Sequence, residues 1–567
     1  MAVLADLATL VLVLAVALVY DPDSLDLSSP RLPLALLGLP VALVLAAAAP
    51  AGAGFRPPDV LVTLALLWTA AAARLSTAPW AAGPALVAAM IAAGAYLIGR
   101  RAGARERLIS WVSRASLALL VASAVAMRGV FQRPTGADLA GHAPTAVLVG
   151  QLGNPDYLAG WLLVVLPAAA LGRGGRAFLA AGLIALGWTL SRGAGLALIA
   201  AALAIWRPGR SLGLKPVALA LASGLVLTGF AATAPADRAK LTSAVTLEKR
   251  LAIWRTALAL TADHPFAGRG PGTFPAAYEA ARPPDPFGAG RLPPSDFAHC
   301  LPLQVAVEHG LAGLALLFAA VALFVPRALA QTDPLSRALA CGALAFLLHN
   351  LVSVTAYVLP VLFVGALFAG AAVTRLYPPP ADANPRAMAL LALFAALVTF
   401  LAAPWALSRN RALHEAGMAR RALERHRPAD ALPHALAALA EDPNVTAVRY
   451  LAAGALAEAG KPRAALAQYL LLEAQEPAFG HQGFDRARVL IDLSRPSAAI
   501  SELERSLAFD PNYQDWYALS EARWAAGDAA GSRAALDRAR ALAPTPDVAA
   551  RLDALARQLA GSSPPSR

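Results

Sequence analysis

Three ionisable side chains at the edges of apolar stretches could do chemistry. Arg192 lies between two apolar runs, Arg250 begins an Arg-x-x-x-Trp stretch, and His299 directly precedes another apolar run. Arginine is permanently ionised and can fork onto anionic oxygens, whereas histidine exchanges a proton near neutral pH. By residue type alone, interface anchoring explains Arg192 as well as function does. A solvated charge is the simpler role for Arg250, and structural hydrogen bonding is the simpler role for His299.

Four short stretches that contain or adjoin these residues occur in a fixed order. They are Gly153-Asn154-Pro155-Asp156 with Tyr157 to Gly160; Ser191-Arg192-Gly193-Ala194; Arg250 to Trp254 with Asp263 to Gly272 and Phe274; and Ala298-His299-Cys300 with Gln304, Glu308 and Gly310-Leu311. In this order, with a long loop before the fourth, they resemble the O-antigen ligase/polymerase family of bacterial membrane glycosyltransferases. The resemblance covers about residues 80–375.

The resemblance implies a reaction and three catalytic roles. Such enzymes pass a glycan from undecaprenyl diphosphate to an acceptor hydroxyl on the outer face of the membrane, without a metal or another cofactor. Arg192 and Arg250 would hold the diphosphate, and His299 would be the general base that activates the hydroxyl. The family usually has Asn after this His, where this chain has Cys300, which changes the local hydrogen bonding.

Substrate binding is further expected of three residues in or beside these motifs. Arg255 could substitute for Arg250, and Asn154 belongs to the first motif. Glu308 follows His299 by nine residues, about half a turn out of phase on a regular helix, so it is expected to orient a partner without touching His299. No metal site is expected, because the outer loops carry no cluster of metal-ligand residues and the chain has only two cysteines.

Several partners and functions stay open at this stage. The acceptor could be lipid A–core, a growing glycan or a protein, so ligation and polymerisation are not separated. A transporter or flippase for a lipid-linked sugar would use the same arginines as anion sites, but we see no repeat between two halves. A non-enzymatic assembly platform would need a single anchoring helix. The net charge of +12 is explained by cytoplasmic loops, and no nucleic-acid partner is expected.

The chain is 58% hydrophobic and 15% charged, which is typical of a membrane protein. Apolar runs predict an all-α, polytopic bundle of about thirteen spans. These spans lie at residues 5–20, 31–50, 58–76, 83–100, 107–128, 157–172, 176–190, 193–206, 216–233, 301–325, 337–354, 357–375 and 387–404.

Basic clusters orient these spans. Residues 100–107, 173–176 and 207–215 carry three groups of Arg and Lys, and alternating the spans from a cytoplasmic N-terminus puts all three inside. The protein is therefore predicted in the bacterial inner membrane, with the loop 234–300 in the periplasm. The odd number of spans predicts that the region after residue 405 is periplasmic as well.

That C-terminal region shows a repeat. Pro443, Pro477, Pro511 and Pro544 follow one another at intervals of 34, 34 and 33 residues. This period resembles tetratricopeptide repeats, whose helix pairs stack into an α-solenoid. We therefore predict three parts: a transmembrane glycosyltransferase domain at 1–405 with an outer catalytic loop at 234–300, a repeat domain at 410–560 that binds a protein partner or the acceptor, and a disordered tail at 561–567.

Overall fold

The computed structural model is built from helices. It describes residues 1–26, 28–48, 54–103, 105–126, 150–205, 245–285, 290–377, 385–480, 482–543 and 545–560. These ranges contain 22 α-helices and no β-strand beyond an isolated bridge between Pro284 and Arg291. The predicted all-α class is confirmed. The predicted span 216–233, the basic cluster 207–215, Pro544 and the predicted tail 561–567 lie outside the described residues.

The first fourteen helices belong to the membrane part of the chain and to the segments that connect its spans. They are α1 (Ala2–Leu18), α2 (Arg31–Ala48), α3 (Pro57–Arg74), α4 (Pro79–Ala102), α5 (Glu106–Ala126), α6 (Pro155–Ala169), α7 (Gly175–Trp188), α8 (Arg192–Ile205), α9 (Val245–Asp263), α10 (Phe274–Ala281), α11 (Leu301–Leu329), α12 (Pro334–His349), α13 (Leu359–Leu376) and α14 (Pro385–Glu424).

Six of these described helices are long and apolar enough to cross a membrane: α2, α4, α5, α11, α13 and α14. Five shorter apolar helices, α1, α6, α7, α8 and α12, accompany them. The protein is therefore a multi-pass membrane protein. Every predicted span other than 216–233 overlaps one of the fourteen helices, while the total of thirteen stays a prediction.

Several helix ends meet at one end of the bundle. Arg337 donates to the carbonyl of Ile205 at 3.0 Å. Arg375 donates to the carbonyl of Gly103 at 2.7 Å and pairs with Glu106 at 3.0 Å. These contacts join the C-terminal ends of α4, α8 and α13 to the N-terminal ends of α5 and α12. We call this the basic end of the bundle.

A buried ion pair joins α3 to α4 near the basic end. Arg100 Nε lies 2.7 Å from Asp59 Oδ1, and the two side chains are 2% and 3% exposed. Asp59 also accepts hydrogen bonds from the Tyr96 hydroxyl at 2.5 Å and from the Arg56 backbone N–H at 2.7 Å. One carboxylate therefore satisfies three donors inside the bundle.

Replacing Asp59 by alanine should destabilise the bundle strongly. Breaking a buried pair leaves an uncompensated charge, which costs about 3–5 kcal/mol. Thermal unfolding in detergent measures the loss. Asp6→Ala is the matched control, because Asp6 pairs with Arg105 where the two side chains are about a fifth exposed, 18% and 22%. Water reaches this pair, so it should contribute less than the fully buried Asp59 pair. Equal shifts in the two variants would contradict this prediction.

The C-terminal helices form the repeats. They are α15 (Pro428–Glu441), α16 (Thr446–Glu458), α17 (Pro462–Gln475), α18 (Gln482–Asp492), α19 (Pro496–Phe509), α20 (Tyr513–Ala525), α21 (Ala529–Ala541) and α22 (Pro546–Ala560). The turn inside each helix pair holds one residue in the left-handed conformation: His426, Gly460, Ser494 and Gly527. Because these residues recur every 33 or 34 positions, the predicted tetratricopeptide-like solenoid is confirmed.

The described residues pack as two compact units. The first contains Met1–Pro22, Leu27–Phe274 and Phe297–Asn410, and the second contains Asp23–Asp26, Pro275–Asp296 and Arg411–Arg567. Residues 275–296 therefore belong to the repeat unit, although they lie inside the predicted catalytic loop 234–300. Helix α14 continues across residues 405 and 410, so the change of composition there occurs within one helix.

Candidate active site

His299 lies in a short segment that two hydrogen bonds hold. The N–H of Ala298 donates to Gln304 Oε1 at 2.7 Å, and the N–H of Leu301 donates to the carbonyl of Asn350 at 2.8 Å. Between these two bonds His299 has a φ of 52°. A non-glycine residue in this left-handed region costs about 1–3 kcal/mol, so the surrounding contacts must hold it. The segment thus fixes the backbone of the predicted base.

Glu308 supports this segment from inside α11. Its side chain is buried, and Oε1 accepts hydrogen bonds from Gln304 Nε2 at 2.9 Å and from the N–H of Phe274 at 3.3 Å. Since Gln304 in turn holds Ala298, Glu308 orients the residue next to His299 through one intermediary. Substrate binding by Glu308 stays a prediction, and its contacts suit an orienting role.

A break at Gly310, where φ is 65°, interrupts α11 two residues after Glu308. The carbonyls that lose their helical partners are satisfied from other elements. Val307 O accepts from the N–H of Arg269 at 2.8 Å, and Glu308 O accepts from the N–H of Gly270 at 3.0 Å. The glycine run Gly268-Arg269-Gly270-Pro271-Gly272 therefore docks on the broken helix.

Arg192 begins α8. It lies next to the C-terminal end of α12, which is the end of that helix away from the basic end of the bundle. An ideal Cβ on the following residue, Gly193, would lie 2.9 Å from Val352 Cγ2 and 3.5 Å from His349 Nδ1. This close approach brings the start of α8 against the end of α12. Arg192 itself is exposed, as expected of a side chain that meets a substrate from outside the bundle.

Asn154 is the N-cap of α6. Its Oδ1 accepts a hydrogen bond from the N–H of Asp156 at 2.8 Å, which satisfies one of the free amide groups at the start of the helix. The side chain thus has a structural task, and its predicted substrate contact stays a prediction. The cap fixes Asp156 in the first turn of the helix.

Four side chains interact electrostatically and form one cluster: Asp156, Arg192, Arg250 and His299. Burial lowers the pKa of Arg250, Asp156 opposes this, and nearby Arg192 lowers the pKa further. Burial also lowers the pKa of His299, the positive charge of Arg250 adds to this effect, and Asp156 acts against it. Arg192, Arg250 and His299, which the sequence names from three separate motifs, therefore lie within electrostatic reach of one another or of a shared neighbour.

The cluster has a further neighbour, His349. Asp156 and His349 interact with each other and with Arg250, although neither was predicted to have a catalytic role. Asp156 belongs to the motif that begins at Gly153, but a single carboxylate beside a helix cap carries no chemical signal of its own. Arg255 is exposed and lies about 140° around α9 from Arg250, and its predicted role stays a prediction.

The described residues include no group of three or more His, Cys, Asp or Glu side chains that could hold a metal ion. Metal independence itself remains a prediction for experiment.

With this geometry in place, the chain can be compared with known proteins. Residues 177–318 match the O-antigen ligase family. The resemblance predicted for about residues 80–375 is thereby confirmed over its central part. The O-antigen ligase match includes Arg192, Arg250, Arg255, His299 and Glu308, and it supports a membrane glycosyltransferase-like ligase or polymerase role.

Two further comparisons add little to the O-antigen ligase match. A search of curated proteins found no match. Among solved structures, the crystal structure of the yeast Tom70 aligns over 72% of this chain and 89% of that chain, with 13% identity and a TM-score of 0.24. A TM-score this low does not indicate a shared fold, so the repeat assignment depends on the helix pairs described above.

Proposed function

We propose that this protein transfers a glycan from undecaprenyl diphosphate to an acceptor hydroxyl on the outer face of the bacterial inner membrane. The observation that supports the proposal is the clustering of Arg192 and Arg250 with His299, all within the O-antigen ligase match. Lipid A–core, a growing glycan and a protein are the candidate acceptors.

The two arginines form the proposed diphosphate site. Arg192 and Arg250 repel each other, which is the reason that Arg192 lowers the pKa of Arg250. An anion between them relieves this repulsion, and guanidinium groups bind phosphate oxygens in a forked geometry. The negative charge on the diphosphate grows as it leaves the sugar. Cations already in position stabilise that developing charge most strongly.

His299 supplies the proposed base. Its lowered pKa keeps the imidazole neutral near neutral pH, so it can accept the proton of the acceptor hydroxyl. The hydroxyl oxygen then bonds to the anomeric carbon while the bond from that carbon to the diphosphate oxygen breaks. The proton ends on His299 and the negative charge ends on undecaprenyl diphosphate. Asp156 stabilises the imidazolium that forms.

The test is transfer from a purified undecaprenyl-diphosphate glycan to a supplied acceptor in detergent. We expect the wild type to form the new glycosidic bond and to remain active after chelation of divalent ions. Movement of the lipid-linked sugar across vesicles without any new bond would replace the proposal with a transporter.

The acid limb of the pH profile should report His299. Because Asp156 opposes the lowering of the His299 pKa, Asp156→Asn should move the acid limb of kcat/KM to lower pH. Asp263→Asn is the control, since Asp263 is exposed and pairs with Arg269. A limb that stays in place, or moves to higher pH, would show that His299 does not set it.

The membrane side can be tested separately. The positive-inside rule assigns the basic end of the bundle to the cytoplasm. The opposite end of the bundle, where Arg192 lies, would then face the periplasm. Reporter fusions after Ser295 and after Gly460 should both report the periplasm. A cytoplasmic signal after Gly460 alone would mean that the number of spans after residue 300 is odd and not the predicted four.

A further inference from the structure

The segment 275–296 is held by one carboxylate of the repeats. Asp510 Oδ2 lies 3.0 Å from Arg282 Nη2, and Asp510 Oδ1 accepts a hydrogen bond from the N–H of Arg291 at 3.0 Å. The side chains of Arg282 and Asp510 are 11% and 20% exposed, so water screens this ion pair only in part. One side chain thus holds the segment at two points.

Further contacts fit the segment closely to the same turn of the solenoid. The Arg291 guanidinium stacks 4.2 Å from the centre of the Phe509 ring, and its Nε donates to the Phe509 carbonyl at 2.5 Å. Gly290 has a φ of 100°, and an added Cβ would lie 2.8 Å from Asp510 Oδ1. Only glycine therefore fits beside the carboxylate.

The equivalent turn of another repeat does a different job. Asp-Pro-Asn occurs at residues 442–444 and again at 510–512, which are 68 residues apart. In the earlier copy, Asp442 Oδ1 accepts from the N–H of Asn444 at 3.1 Å and so closes its own turn. In the later copy the carboxylate contacts Arg282 and Arg291. The same repeat position thus serves local structure in one copy and the segment in the other.

The residues that flank the segment bond to the side chains that support His299. Phe274, which precedes it, donates its N–H to Glu308, and Ala298, which follows it after Phe297, donates its N–H to Gln304. His299 is the third residue after the segment. Anything that restrains residues 275–296 therefore also restrains the backbone on both sides of the His299 support.

We propose that Asp510 is a positioning residue for glycan transfer: the repeats clamp residues 275–296 and thereby hold His299 in its working conformation. This inference builds on the proposed function above. It gives the repeats a task beyond the binding of a partner or acceptor, since Asp510 restrains the chain that leads to His299.

The experiment compares Asp510→Ala with Asp442→Ala in the full-length protein. Hydrogen exchange at residues 277–285 and 290–296 measures the clamp, and the transfer assay with separate donor binding measures its effect. For Asp510→Ala we expect at least tenfold faster exchange in these residues and at least tenfold lower kcat, with donor affinity within twofold of wild type. Asp510→Glu, which keeps a carboxylate, should recover most of kcat.

Two matched variants keep the test decisive. Asp442→Ala should leave exchange in the segment and kcat near wild type. If Asp510→Ala disturbs the repeats, Arg282→Gln approaches the same ion pair from the other side and should give the same result. Unchanged exchange in Arg282→Gln, or faster exchange with unchanged kcat, would overturn the proposal. An inactive wild type would instead overturn the proposed function, because hydrogen exchange detects the clamp without any transfer.

Discussion

Replacing His299 should slow glycan transfer by about a hundredfold or more while donor binding is retained, because a general base usually contributes this much. The choice of substitute matters, since His299 has a φ of 52°. Asparagine adopts the left-handed conformation more readily than alanine, so His299→Asn removes the base with the least disturbance of the backbone. Both His299→Asn and His299→Ala should insert and fold normally.

The control for this prediction is His264→Ala, since His264 is an exposed histidine of the same outer loop. It should keep normal transfer. Rates should be measured under saturating donor, with donor binding determined independently. If His299→Asn transfers at the wild-type rate, His299 is structural and another group accepts the proton. If both His299 variants lose donor binding, His299 belongs to the diphosphate site.

Arg192→Lys and Arg250→Lys should both weaken donor binding and lose most transfer, although each keeps its positive charge. Lysine replaces the planar fork by a point charge, and a hydrogen bond to a charged group contributes about 1.5–3 kcal/mol. Loss of one such bond corresponds to roughly 10-fold to 100-fold weaker binding. Equilibrium binding of the undecaprenyl-diphosphate glycan measures this directly, and single-turnover transfer measures the effect on chemistry.

Arg173→Lys is the control for the arginine variants, because Arg173 is exposed in the connection between α6 and α7. It should bind donor and turn over normally. Arg250→Ala and Arg255→Ala together decide which arginine of α9 is used. Normal donor binding and turnover in both Arg192→Ala and Arg250→Ala would move the diphosphate site elsewhere.

The features that could be predicted from sequence are those with a local signal. Apolar runs mark the spans because a helix in lipid must be apolar along its whole length. The regular prolines mark the repeats because Pro443, Pro477 and Pro511 each follow the second helix of a pair. The end of the membrane domain was harder to predict, since α14 passes Trp405 while its composition changes around it. A continuous helix gives no local sign of where one packing unit stops.

The features that escaped prediction depend on residues far apart in the chain. Asp156 begins α6, which packs against α12, and Leu301 next to the His299 segment donates its N–H to Asn350 at the end of α12. No spacing in the sequence encodes that approach. Glu308 was expected to orient a partner, but its contacts with Gln304 and Phe274 could not be named from the sequence, and its predicted substrate binding stays a prediction. Neither the period nor the composition of the sequence indicates that residues 275–296 attach to Asp510. The loop and the repeats can each be explained from sequence without the other.

The break at Gly310 has a consequence for engineering. The carbonyls of Val307 and Glu308 are satisfied by the backbone of the glycine run, and the N–H of Leu311 donates to the carbonyl of Pro265 at 2.7 Å. In lipid, a helix broken in this way cannot be separated from the backbone that satisfies it. Residues 263–273 and the first turns of α11 therefore form one structural unit that cannot be divided. A chimaera of this protein with another chain must exchange both pieces together, with its junctions outside them.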